Sequence, residues 1–208
     1  MEYKTIARRA EARFIEKKSE FIGYLAPVSA EEEAISFLNE IRAMHRKAKH
    51  NCYAYILREG IARHSDDGEP SGTAGAPIYD VLCHEGLTDI ACVVTRYFGG
   101  VLLGTGGLVR TYTKAVSEAI ASAEIKVMAR ALQLNLTFDY SLYNIMPGVF
   151  ARFDVRVGSE EFADNVRISL YVRSESAEEF IKAVTELSNG RISVEQGNED
   201  WYDFAKQL

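Results

Sequence analysis

Apolar and polar residues alternate over residues 3–8 and 12–16, and residues 21–28 form a third apolar-rich run after the polar turn 17–20. Period-two patterning of this kind predicts strands. The period then changes. Phe37, Ile41, Met44 and Ala48 share one helical face, so we expect a helix from Ser29, as N-cap, to about Ala48, with Glu31, Glu32 and Glu33 complementing its dipole. A strand over 52–58 and a short helix over 77–84 follow. Residues 90–94 are a continuous apolar run rich in β-branched side chains, the pattern of a strand buried on both faces. After Gly107 the apolar positions become Val109, Tyr112, Val116 and Ile120, a helical period.

The remainder predicts a strand at about 131–139 and a helical stretch capped by Ser141 and kinked or shortened at Pro147-Gly148. Strands at 154–158 and 166–173, a helix at 177–188 ended by Asn189-Gly190 and a strand at 191–199 complete it. This β-α-β-β-α-β order is the ferredoxin-like split βαβ. We therefore expect two domains, 1–129 and 130–208, in an α+β chain.

Charge changes at the same place. Residues 1–129 hold 16 Lys and Arg against 17 Asp and Glu, and residues 130–208 hold 8 against 13. A net charge of −6 argues against a generic nucleic-acid coating protein, so any polyanion contact must come from a local patch in the first part. The hydrophobic content of 47% is that of an ordinary globular protein, and no apolar run approaches the 18 or so residues of a membrane span. The first residues lack the apolar core of a secretory signal. Cys52, Cys83 and Cys92 form no C-x-x-C, and are expected to be reduced, mostly buried thiols of a cytoplasmic protein.

Five of the 15 glycines fall between Gly99 and Gly107, where the buried strand passes into a helix. Such a junction presents free amides and the positive helix end, which suits an anion. It equally suits a tight turn with no ligand, since the segment is neither a phosphate-loop motif nor a clean G-x-G-x-x-G. The cations Arg96, Arg110 and Lys114 flank it, and Thr105 adds a hydroxyl beside the amides of Gly104, Gly106 and Gly107. Arg42, Arg46 and Lys49 make a basic stripe leading to His50, which reads either as a phosphate contact or as a solvated face. In the polar segment 64–75, Asp66, Asp67 and Glu69 are candidate Mg²⁺ ligands or acid/base groups, although turn chemistry also explains them. Arg96 has a second reading as their internal partner, tying the acidic loop to the glycine loop. No pair of the four histidines has metal-binding helical spacing, and there is no G-x-S-x-G elbow. No catalytic constellation is visible, and no cofactor is expected.

Three blocks, HNCYAY at 50–55, SDDGEPSGTAG at 65–75 and RYFGGVLLGTGGLVR at 96–110, together resemble the YigZ/IMPACT family. The resemblance covers residues 1 to about 129 by motif and the rest by architecture. It implies a first domain like the second domain of ribosomal protein S-five and a second like the last domain of elongation factor G. That pair suggests contact with RNA or the ribosome, or with a translation-related protein, and a role in translation or its regulation. The expected anion or nucleic-acid site is Arg42, Arg46, Lys49, His50, Arg96, Gly104, Thr105, Gly106, Gly107, Arg110 and Lys114. The alternatives are a metal- or nucleotide-dependent hydrolase or phosphotransferase, with its site between loops 64–75 and 99–107, and a protein-binding module.

Overall fold

The computed structural model describes residues 2–205. They form two compact units, one of residues 3–126 and one of residue 2 with residues 127–205. In chain order the elements are β1 (Glu2–Ile6), β2 (Ala10–Glu16), β3 (Ser19–Pro27), α1 (Glu31–Met44), β4 (His50–Ile56), β5 (Ala62–Ser65), α2 (Gly75–His84), β6 (Ile90–Tyr97) and α3 (Thr105–Ala121). Then come β7 (Ile125–Phe138), α4 (Met146–Arg152), β8 (Arg156–Phe162), β9 (Val166–Arg173), α5 (Ala177–Leu187) and β10 (Ser193–Asp203). The class is α+β.

In the first unit an antiparallel sheet of order β2-β3-β6-β4-β5 carries helices on both faces. The alternation of side chains along the strands separates the two cores. Phe21, Leu25, Cys52, Ala54, Ile90, Cys92 and Val94 pack under α2 and α3, against Ile78, Leu82, Tyr112, Val116 and Ala119. Their neighbours Ile22, Tyr24, Ala26, Tyr55, Ala91 and Val93 pack under α1, against Ala34, Phe37, Leu38 and Ile41. The central strand β6 thus feeds both cores, which is why its sequence reads as unbroken apolar residues. Gly23 lets α3 lie close: a Cβ there would meet the Ala115 carbonyl oxygen at 2.7 Å.

In the second unit the order β10-β7-β9-β8, antiparallel throughout, is the ferredoxin-like arrangement. Leu134, Leu136, Ile168, Leu170 and Val172 face Met146, Val149, Phe180 and Val184 of α4 and α5. The opposite face bears Gln133, bonded to Ser169, and the stacked rings of Tyr171 and Tyr202, 3.8 Å apart.

Several local expectations are corrected. Helix α1 ends at Met44, so Arg46 and Lys49 lie in the turn beyond it rather than on one helical face with Arg42. Ser29 does not cap. Ala30 holds the cap position, and Ser29 gives its N–H and hydroxyl to Glu33. Residues 62–65 form β5, which the polar composition concealed. Asp139, not Ser141, accepts the capping bond of the turn Tyr140–Ile145, and Pro147 opens α4 instead of kinking a longer helix. Cys52 and Cys92 are buried, whereas Cys83 is exposed. Among the described residues no helix is long and apolar enough to cross a membrane.

Candidate functional site

One end of the first sheet gathers most of the motif residues. Strand register defines it: Glu16 opposes Ser19, Glu20 opposes Tyr97, and Arg96 lies between Phe21 and His50. The β2–β3 turn at Lys17 and Lys18, the exit of β6 and the entry of β4 therefore meet here. Helix α3 starts at the same end, because its Tyr112 packs on Phe21 while Ser122, near its far end, bonds the Glu11 carbonyl. The chain leaves β5 here too, since Ser65 opposes Tyr53.

The acidic loop is built inward. Asp66 accepts the backbone N–H groups of Gly72, Ala74 and Gly75 at 2.8–2.9 Å, folding residues 66–75 around one carboxylate. Burial alone would raise its pKa. The three amides outweigh burial and hold the carboxyl below its ordinary value. Asp67 accepts from Arg42 at 2.7 Å and from the Asn51 amide at 2.7 Å, and its carbonyl lies 2.9 Å from His50 Nδ1. Glu69 is buried and receives Arg96 Nη1 at 2.6 Å and the Tyr112 hydroxyl at 2.9 Å. Arg96 thus ties the acidic loop to the strand that feeds the glycine loop, with Tyr112 of α3 as third member.

The network continues inward to the Cys52 thiol, which donates to the Asp66 carbonyl at 2.9 Å and lies 3.3 Å from Tyr112 Oη. Burial pushes this thiol up to about 12 and raises the Tyr112 phenol further, so neither ionises near neutrality. The Arg96 guanidinium sits between the rings of Phe21 (5.4 Å) and Phe98 (5.5 Å), and its buried Nε has no hydrogen-bond partner. Asp66, Asp67 and Glu69 therefore converge on protein groups instead of on one open point. Among the described residues no group of three or more His, Cys, Asp or Glu is placed to hold a metal ion.

The remaining candidates lie outside this network. Helix α3 begins after Gly104, whose φ of 76° only glycine adopts without strain, and its first turn has neither a side-chain cap nor an acidic residue. Arg110 is exposed, with its guanidinium on the side of Gly106. Lys114 is otherwise engaged, paired with Glu118 at 3.5 Å and lying over the Phe14 ring. Arg46, Lys49 and Arg110 are exposed and make no ion pair among the described residues. The same holds for three cations that the sequence reading passed over, Lys17, Lys18 and Lys47. The signal for Lys17 and Lys18 is the pair of consecutive lysines in the β2–β3 turn, both at positive φ (45° and 68°), which only the strand register brings to the motif end.

The profile of the Impact N-terminal domain matches residues 17–120, which includes the whole acidic-loop network and every cation just named. A domain of unknown function (DUF1949) matches residues 136–191. IMPACT family member YvyE of Bacillus subtilis is 38% identical over 199 residues, spanning 94% of this chain and 91% of that protein. The chain belongs to the IMPACT family. Family member YigZ of Escherichia coli is 31% identical over 182 residues, or 86% of this chain and 89% of that one. A crystal structure of a hypothetical protein, 29% identical, covers 93% of the chain and is itself covered to 96%, with a TM-score of 0.61. The blocks at 50–55, 65–75 and 96–110 all fall within the Impact N-terminal match and meet at this one end of the first sheet.

Proposed function

We propose that this IMPACT family protein is a non-enzymatic RNA- or ribosome-associated protein acting on translation, and that the basic end of its first unit makes the contact. One observation carries the reading. The carboxylates of the acidic loop are all held by internal donors, while Lys17, Lys18, Arg46, Lys47, Lys49 and Arg110 are exposed with no acid partner among the described residues. The end is therefore locally positive on a chain of net charge −6. Arg42 and Arg96 support the surface by holding the acids; they do not belong to it. The free amides at the start of α3 add donors that suit a phosphate.

Sedimentation with ribosomes through a sucrose gradient tests this. Co-migration should decline as salt rises, and charge reversal at Lys49 and Arg110 should reduce it and flatten the salt dependence. Protein that stays at the top of the gradient at low salt, or co-migration indifferent to the reversal, would sink the assignment.

A further inference from the structure

We propose that the outer face of Phe98 is a stacking platform for an unpaired base, so that the basic end takes single-stranded RNA in preference to duplex. This rests on the RNA reading above and names its substrate class. Phe98 is half exposed, at 50%, although it follows a buried strand. Its inner face lies on the Arg96 guanidinium, which is backed by Phe21 and neutralised by Glu69. Arg96 thus lies over both the Phe21 and the Phe98 rings, and half of the Phe98 surface is left to solvent.

Exposed cations lie in the β2–β3 turn at the same end of the sheet. Gly99 has no room for a Cβ against the Lys18 backbone, and its N–H donates to Ser19. The backbone just after Phe98 is thereby held against the Lys17–Lys18 turn. Leu102, 82% exposed, and Val101 extend the apolar surface in the same loop. A half-exposed aromatic ring in a loop packed on a turn of two lysines that make no ion pair among the described residues fits a nucleotide, whose base stacks while its phosphate meets the charge. In a duplex the base faces are already stacked on each other and closed to such a ring.

The test uses the whole chain and a fluorescein-labelled, unstructured 12-nucleotide RNA, compared with a 12-base-pair RNA duplex by anisotropy. The single strand should bind at least about ten-fold more tightly. Phe98→Ala should lose about ten-fold or more for the single strand, with the salt slope unchanged because no phosphate contact is removed. Phe98→Trp should retain binding, and the fluorescence of the introduced indole should be quenched by the single strand but not by the duplex. That second readout holds even if Phe98→Ala loosens the loop.

Equal affinity for both RNAs, or an unquenched indole with binding intact, would overturn the stacking platform while leaving the RNA reading standing. Absence of binding to either RNA would overturn both. Sedimentation with vesicles of phosphatidylcholine and phosphatidylserine that is lost in Leu102→Ala, without RNA binding, would assign the loop to a membrane surface and overturn the proposal.

Discussion

Arg96 carries a full charge into a site where it is only 5% exposed, held by one carboxylate oxygen and two aromatic rings. Removing one partner from such a pair strands the other. Glu69→Gln should therefore lower the stability of the first unit by about 3 kcal/mol in urea unfolding. Arg96→Met should cost much less in a Glu69→Leu background than alone, because the two changes remove one shared interaction. The Cys52 thiol, pushed up to about 12, and the fully buried Cys92 should ignore a disulfide reagent at pH 8. Only Cys83 should react promptly, so fast release of more than one thiol equivalent from folded protein would contradict the burial. On the other face, His45 bridges the hydroxyls of Tyr24 and Tyr97 at 2.7 and 2.8 Å, and burial lowers its pKa. The unfolded chain then binds the proton first. Stability should fall as pH drops below about 6.5 and keep falling until the folded-state pKa is passed. His45→Gln should remove that slope, as followed by melting temperature between pH 7 and 5. At this scale the sequence supplied the candidates but not their partners. Arg96 reads from sequence as either a ligand contact or an internal tie, and only the approach of Glu69, 27 positions away, distinguishes them.

Among the elements, the glycine segment shows what spacing conveys. A strand buried on both faces, a glycine-rich connection and a helix were all readable, because burial imposes a period and glycine marks constrained backbone. What each glycine does was not. Gly99 is required by contact with the Lys18 backbone, whereas Gly100 meets nothing but has a φ of 84°. Gly99→Ala should destabilise by about 3 kcal/mol through overpacking, and Gly100→Ala by about 1 kcal/mol through backbone strain. Thermal melts of the two variants check the order, and equal losses would mean that the loop adjusts around Lys18. Strand β5 was missed for a different reason. Three of its four residues, Arg63, His64 and Ser65, are polar because it is a short edge strand, so its only instruction is pairing with β4. Arg46 and Lys49 continue the charge spacing of α1 although the helix stops at Met44, since periodicity in charged residues persists past a helix end that nothing local marks.

For the whole molecule, composition and element order sufficed to recognise an α+β chain with a ferredoxin-like second part, because each unit closes its own core. Residues 3–126 contain both hydrophobic clusters of the first sheet. A fragment of that span should unfold in a single calorimetric transition and retain the RNA affinity of the full chain at equal salt. Loss of cooperativity, or of binding, would mean that residues beyond 126 are needed. Within that unit, β6 is the strand on which both helical layers rest, with Ile90, Cys92 and Val94 on one side and Ala91 and Val93 on the other. Neither layer can detach without stripping one face of this strand, so local opening has no inexpensive route through it. Its backbone amides should exchange with deuterium only when the unit unfolds as a whole, and their exchange rates then report its global stability directly.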